Sequence, residues 1–305
     1  MNPLAGLKVL DLTQRLPGPL AGHLLAELGA EVTKVEDSSS GDPFRGPQMR
    51  GPLANFRGWY RSLQAKKKLL ELDLRAKSAF ETLAPLVRET DIVLTTLGDK
   101  AIQQLGLASA SVLIKVRAQR EHGHGLHDLN ALALSGLLPL HLEKSERSWL
   151  APPFLPVAGI SFGQQIALKA LAFLRQAQQE QKPIIAELYL LEELQTVMRF
   201  AWPREALEHG QYKFLHNGAF PCYCLYRTKD GDWLAVAAVE EDFWSAFDKL
   251  LDLRVTLDER FSTDAKIFDR VAQVIQTRTT AELKTLLAGK ELCVSLVKAT
   301  PEEQV

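Results

Sequence analysis

The sequence predicts an α/β fold: a Rossmann-like, doubly wound parallel sheet followed by a smaller α/β domain. Three observations carry this expectation. Apolar strand-like runs alternate with helix-like segments through the first 120 or so residues. The chain opens on a complete strand–turn–helix–strand unit, whose crossover implies parallel, right-handed pairing. After Pro203 the pattern shifts to a short antiparallel element and a run of helices.

The opening unit is Leu7-Lys-Val-Leu-Asp-Leu-Thr13, a turn on Pro17-Gly18-Pro19, a helix, and Glu31-Val-Thr-Lys-Val-Glu36. Leu20, Leu24, Leu25 and Leu28 recur at helical spacing and predict the buried face of that helix. The first turn lacks Gly-x-Gly-x-x-Gly, which a dinucleotide pyrophosphate needs for close backbone approach, so an ordinary NAD domain is disfavoured. Residues 68–74 read as a strand, 77–89 as a helix, 91–97 as a strand, then a short helical piece ending at Leu105-Gly106-Leu107. Residues 111–116 make another strand, and 128–142 and 162–179 are helical by apolar spacing. Beyond Pro203, residues 223–227 and 232–239 pair around Lys229-Asp230-Gly231. Helices over 241–252, 264–277 and 280–288 and a strand over 293–298 complete the chain. The expected domains are 1–203 and 204–305.

Composition narrows the function. The 305 residues carry 36 Lys and Arg against 37 Asp and Glu, a net charge of −1. Without a basic block, nucleic acid is not the expected partner, because neutralising phosphates takes clustered cations. No apolar run is read as a membrane span, so no membrane partner is expected. Three cysteines suit free thiols in a cytoplasmic protein. Cys222-x-Cys224 has no second ligand pair, and His122, His124 and His127 sit in a glycine-rich stretch without a clear fourth ligand. No metal is expected.

The motifs resemble, over nearly the whole chain, the family III CoA-transferases (CaiB/BaiF type), nearest their α-methylacyl-CoA racemase branch. The Pro-Gly-Pro turn followed by Gly29-Ala-Glu-Val32 matches the start of that family's CoA-binding domain. Leu63-Gln-Ala-Lys-Lys-Lys68 and Leu72-Asp-Leu-Arg75 fall where relatives contact CoA. His127-Asp-Leu-Asn130 resembles a Gly-His-Asp-Ile-Asn segment whose His is a catalytic base. Asn217-Gly-Ala-Phe-Pro221 and Val239-Glu-Glu-Asp-Phe243 resemble the start of the small domain.

The resemblance implies CoA or an acyl-CoA thioester as the partner, and no cofactor beyond CoA as substrate carrier. It implies CoA contacts from Lys34, Lys66, Lys67, Lys68, Leu72, Asp73, Leu74 and Arg75. It also implies contacts from Leu126, Asp128, Leu129, Asn130 and Ala131, with His127 as base and Glu240 as accessory acid. Relatives form interlocked homodimers; this chain ends at Val305, before the segment that closes the interlock, so a looser homodimer is expected.

The departures fall on the chemistry. Relatives carry an Ala/Gly-Asp-Phe whose Asp is the second acid–base group or the acylated carboxylate. The matching Val157-Ala-Gly-Ile-Ser-Phe162 puts Gly159 there. Racemisation needs a base and an acid on opposite faces of the α-carbon, and transfer needs a nucleophilic carboxylate. The resemblance thus implies a racemase-like protein with a degenerate site, active or catalytically silent. Gly159-Ile-Ser161-Phe-Gly163 also fits the hydrolase Gly-x-Ser-x-Gly pattern, with His209 and His216 downstream, which keeps a serine hydrolase as an outside alternative. Otherwise Ser161 is read as the N-cap of the following helix.

Overall fold

The computed structural model describes residues 2–47, 49–120, 126–138, 155–199 and 215–297. Two compact units are present, Met1–Arg204 and Glu205–Val305.

In the first unit, β1 (Lys8–Leu12), α1 (Pro17–Glu27) and β2 (Glu31–Asp37) form the opening unit. Then come α2 (Asn55–Gln64), β3 (Lys68–Leu72), α3 (Lys77–Arg88), β4 (Ile92–Thr95), α4 (Asp99–Gln104) and β5 (Val112–Arg117). The unit continues with α5 (Asp128–Leu134), α6 (Val157–Glu180), β6 (Ile184–Tyr189) and α7 (Leu190–Met198). The six strands are all parallel, in the order β3-β2-β1-β4-β5-β6. The order reverses between β1 and β4, which opens a crevice at the carboxyl ends of the strands. β4 and β5 are covered on both faces, so Ile92, Val93, Leu94, Val112, Leu113 and Ile114 are all buried.

The packing of α1 differs from the sequence expectation. Its buried residues are Gly18, Pro19, Ala21, Gly22, Leu25 and Ala26, while Leu28 is exposed. Small residues face inward because α1 lies closely against α6: a Cβ added at Gly163 would stand 2.8 Å from the Pro17 carbonyl oxygen and 2.9 Å from Leu20 Cδ2. Backbone cannot yield as a side-chain tip can, so Gly163→Ala is expected to cost about 1–3 kcal/mol through overpacking. That corresponds to a fall of roughly 3–10 °C in the unfolding midpoint. An unchanged midpoint in a thermal scan would show that the two helices separate freely.

Four further differences have physical causes. α6 begins at Val157, and Ser161 lies buried inside it rather than capping it. α5 stops at Leu134, followed by Gly136 at φ 80°; residues 139–142 of the expected helix lie outside the described residues. α6 ends on Gln181 at φ 52°, a left-handed cap with Pro183 close behind. That punctuation conceals β6, an added edge strand whose Ile184 to Tyr189 pair with Val112 to Arg117 of β5. α6 is also long and apolar enough to cross a membrane by length and composition, against the expectation that no segment is. Its apolar side is occupied, however: Ala158, Phe162, Ile166, Ala170 and Leu174 are buried in the same core as Leu25 and Ile114.

The second unit follows the sequence reading closely. β7 (Tyr223–Arg227) pairs antiparallel with β8 (Trp233–Ala237), and β8 with β9 (Val294–Leu296). α8 (Glu241–Leu251), α9 (Ala265–Ile275) and α10 (Thr280–Leu287) lie between β8 and β9 in sequence. Their apolar faces meet around Trp244, Phe247, Val271, Ile275 and Leu283, all buried. Trp244 donates its indole N–H to the Val255 carbonyl at 3.1 Å, which satisfies the one polar atom of that ring.

Candidate active site

The carboxyl ends of the first-unit strands enclose a cleft of about 880 Å³, within the range of small-molecule sites. Gln14 to Gly18 after β1 form part of it, with Thr96 after β4, Val116 to Ala118 at the end of β5, and Leu190 after β6. The turn after β1 is anchored from the side. Arg15 has φ 68°, and its backbone N–H donates to Asp42 at 3.0 Å, while Gln14 donates to the Gly41 carbonyl at 3.2 Å. A left-handed arginine is uncommon and persists because its neighbours fix it.

His127 occupies the N-cap position of α5, exposed and on the cleft wall. Its backbone N–H donates to Asn130 Oδ1 at 3.2 Å, so Asn130 fixes the histidine's backbone. Asp128 also lines the cleft, half-buried, and Oδ1 accepts the Gly159 N–H at 2.7 Å. Burial pushes its carboxyl up, against opposing backbone hydrogen bonds from Gly159 and Ala158. Asp128 therefore caps α6, the role the sequence reading gave to Ser161. It is the one carboxylate among the described lining residues. Leu126 and Leu129 line the same wall, whereas Ala131, expected to touch the ligand, is buried in the core and does not line the cleft.

The basic cluster divides. Lys34 and Lys67 are buried on Asp11, which is itself buried: Lys67 Nζ lies 2.8 Å and Lys34 Nζ 3.8 Å from the carboxylate. Lys67 also donates to the Pro19 carbonyl at 2.8 Å, and Lys34 to that of Thr13. Both were expected at CoA phosphates; the geometry makes them internal clasps of the β1–α1 turn. Lys66 pairs with Glu27 at 2.8 Å, and Lys68 is exposed at the start of β3. Asp73 and Arg75 are exposed just after β3, and Leu72 and Leu74 are half-buried. The Leu74 N–H donates to Asp37. None of residues 66–68 or 72–75 lines the cleft with His127.

Glu240 belongs to the second unit, exposed at the N-cap of α8. His216 belongs to that unit as well, whereas His122, His124 and His209 lie outside the described residues. Ser161, inside a helix rather than on a strand-to-helix elbow, cannot present its hydroxyl as a hydrolase nucleophile does. Among the described residues no three His, Cys, Asp or Glu side chains are grouped to hold a metal ion.

The sequence reading missed the facing wall. Phe44 stacks on Phe56 at 4.5 Å, and Trp59 meets Phe56 edge-on at 5.2 Å; all three rings line the cleft with Met49 and Leu53. The available signal was the aromatic cluster in residues 44–60, in which Phe56, Trp59, Tyr60 and Leu63 recur at helical spacing along α2.

A search against protein families matches residues 4–304 to CoA-transferase family III. Among curated proteins, the chain is 26% identical to α-methylacyl-CoA racemase of Homo sapiens, over 96% of this chain and 77% of that protein. It is 25% identical to succinyl-CoA–D-citramalate CoA-transferase of Chloroflexus aurantiacus, over 94% of this chain and 76% of the other. Among solved structures, the hypothetical protein Rv3272 from Mycobacterium tuberculosis superposes with a TM-score of 0.72 at 21% identity. That superposition covers 98% of this chain and 84% of the other.

Proposed function

This chain belongs to CoA-transferase family III, and we propose that it binds an acyl-CoA thioester with the acyl end in the cleft beside His127. The observation that carries this reading is the cleft itself: it lies at the topological switch of the sheet and contains one imidazole and one carboxylate on adjacent residues. His127 is suited to take a proton from the carbon next to the thioester, since imidazole titrates near neutrality. Asn130 sets its backbone and Asp128 holds the start of α6 beside it.

Gly159 falls where the family pattern has Asp, so among the described lining residues the one carboxylate left is Asp128, which is engaged by the Gly159 N–H at the start of α6. The reading is therefore a racemase-like protein whose residual chemistry is one-sided proton exchange. The test follows deuterium wash-in at C2 of 2-methylacyl-CoA alongside calorimetric CoA binding. His127→Ala is expected to lower exchange by about 10²–10⁴-fold while leaving thioester affinity within about threefold. Exchange that survives the substitution would remove His127 from the role.

A binding-only paralogue is the second reading, favoured by Asp128 being engaged at the helix start. It predicts thioester binding with no exchange at all.

Outside the cleft, we assign the phosphate end to the exposed cations Lys68 and Arg75. Paired substitution to Ala is expected to weaken CoA binding by about tenfold. Calorimetry that gives an unchanged Kd would place the phosphates elsewhere.

A further inference from the structure

Building on that reading, we propose that the cleft selects an apolar, ring-bearing acyl group: an aryl or arylalkyl thioester, in preference to a short, linear or dicarboxylic one.

The first argument is the geometry of the aromatic wall. Phe44 and Phe56 are offset-stacked at 4.5 Å with planes 20° apart, and Trp59 stands at 84° to Phe56. All three rings are only half-buried, so ring surface remains open to the cleft. Stacked and edge-on pairs at 4.5–7 Å are the favoured aromatic arrangements, and a further ring can extend them.

The second argument is that the wall is held ready. Tyr60 donates to the buried Glu36 at 2.9 Å, and Arg45 pairs with Glu36 at 3.4 Å and Glu71 at 2.6 Å. Arg57 donates to the Met49 carbonyl at 2.8 Å. Each ring has one of these residues next to it in sequence, and the bonds to Glu36 and Glu71 tie their segment to β2 and β3. A ligand then meets a surface whose ordering cost is already met.

The third argument is charge. The described lining offers two cations, Arg15 and Arg117, and Arg117 lies 3.7 Å from Asp99. A pyrophosphate with a further phosphate needs more cations than that. The opposite wall is Leu126, Leu129, Leu132 and Phe162 beside His127. The acyl end, carrying the reacting carbon, fits between the two walls better than the nucleotide end.

The experiment titrates the full chain with phenylacetyl-CoA, hexanoyl-CoA, acetyl-CoA, succinyl-CoA and free CoA, read by calorimetry and tryptophan fluorescence. Phenylacetyl-CoA is expected to bind about tenfold more tightly than each of the others. Phe56→Leu, which keeps bulk but loses the ring, should reduce that advantage to about threefold or less, with the loss falling on phenylacetyl-CoA more than on acetyl-CoA. Trp59→Phe should abolish the fluorescence change while binding persists.

Equal affinity for hexanoyl-CoA and phenylacetyl-CoA would overturn the preference for a ring. Tighter binding of succinyl-CoA would overturn it too, and would assign Arg15 to a distal carboxylate. Free CoA that perturbs Trp59 as strongly as phenylacetyl-CoA would assign the rings to adenine. In each case thioester binding itself stands. Failure of all five ligands to bind would instead overturn the reading on which the proposal rests.

Discussion

Asp11→Ala is expected to be among the most damaging single changes in the first unit, lowering its stability by about 3–5 kcal/mol. Asp11 is fully buried at the end of β1 and is the counter-ion for two buried lysines. Burial alone would raise its carboxyl. The attraction of Lys34 and Lys67, with hydrogen bonds from Lys67 and Thr13, outweighs burial and holds it well below the ordinary carboxylate range. Lys67 is shifted down, first by its own burial; Asp11 raises it, and repulsion from Lys34 adds to the lowering. Removing Asp11 strands two ammonium groups without water. The turn they clasp, through the Thr13 and Pro19 carbonyls, leads directly into the cleft.

The pH dependence has a definite sign. Because the folded-state value of Asp11 is depressed, its stabilisation is fully present above the unfolded carboxylate value near 3.8. It is lost only as the pH falls through the lower folded value. The unmutated protein should therefore keep this contribution down to about pH 4, and Asp11→Ala should lack it at every pH. Asp11→Ala combined with Lys67→Met should be more stable than Asp11→Ala alone, since one stranded charge has gone. Urea unfolding of the three proteins measures this. A double variant no better than the single would show that the cluster is not coupled.

The same cluster shows why the site was less legible in the sequence than the fold. Alternating apolar runs placed β1, β2, β4 and β5 to within a residue or two, and β7 with both ends correct. Burial on two faces writes itself into contiguous Val, Leu and Ile. β6 was hidden because Lys182-Pro183 reads as a turn and Glu187 interrupts the short apolar run that follows. Lys34 and Lys67 read as surface cations because local sequence does not reveal a buried partner 23 or 56 residues away. The facing wall of Phe44, Phe56 and Trp59 escaped for a different reason: Phe56, Trp59, Tyr60 and Leu63 do recur at helical spacing in α2, but an apolar stripe does not reveal whether it faces a core or, with Phe44, a cleft. The resemblance singles out His127 and Asp128 as candidates; that Asp128 caps α6 was not legible, because its partner amide is 31 residues further on.

Racemase and CoA-transfer turnover are expected to be absent or very low, on the proposed reading that Gly159 stands where a second catalytic group belongs. A single base can exchange an α-proton with solvent but cannot return a proton to the opposite face. General acid–base groups are each worth roughly 10²–10⁴ in rate. Restoring a carboxylate by Gly159→Asp meets two obstacles. A Cβ at 159 would lie 3.1 Å from Leu16 Cδ2, a flexible tip that must give way by a few tenths of an ångström, and 3.6 Å from Asp128 Oδ1. Two carboxylates so close cannot both ionise freely, so one would be driven towards its neutral form. Gly159→Asp alone is therefore expected to raise turnover by less than about tenfold. Gly159→Asp with Asp128→Asn keeps an amide oxygen for the α6 N–H groups and removes the repulsion. It should exceed the single variant if position 159 points into the reacting space. The measurements are chirality at C2 of 2-methylacyl-CoA and CoA exchange between two acids. Turnover by the unmutated protein within tenfold of the ~10 s⁻¹ usual for enzymes would show that another group fills the role, and the degenerate-site reading would fall.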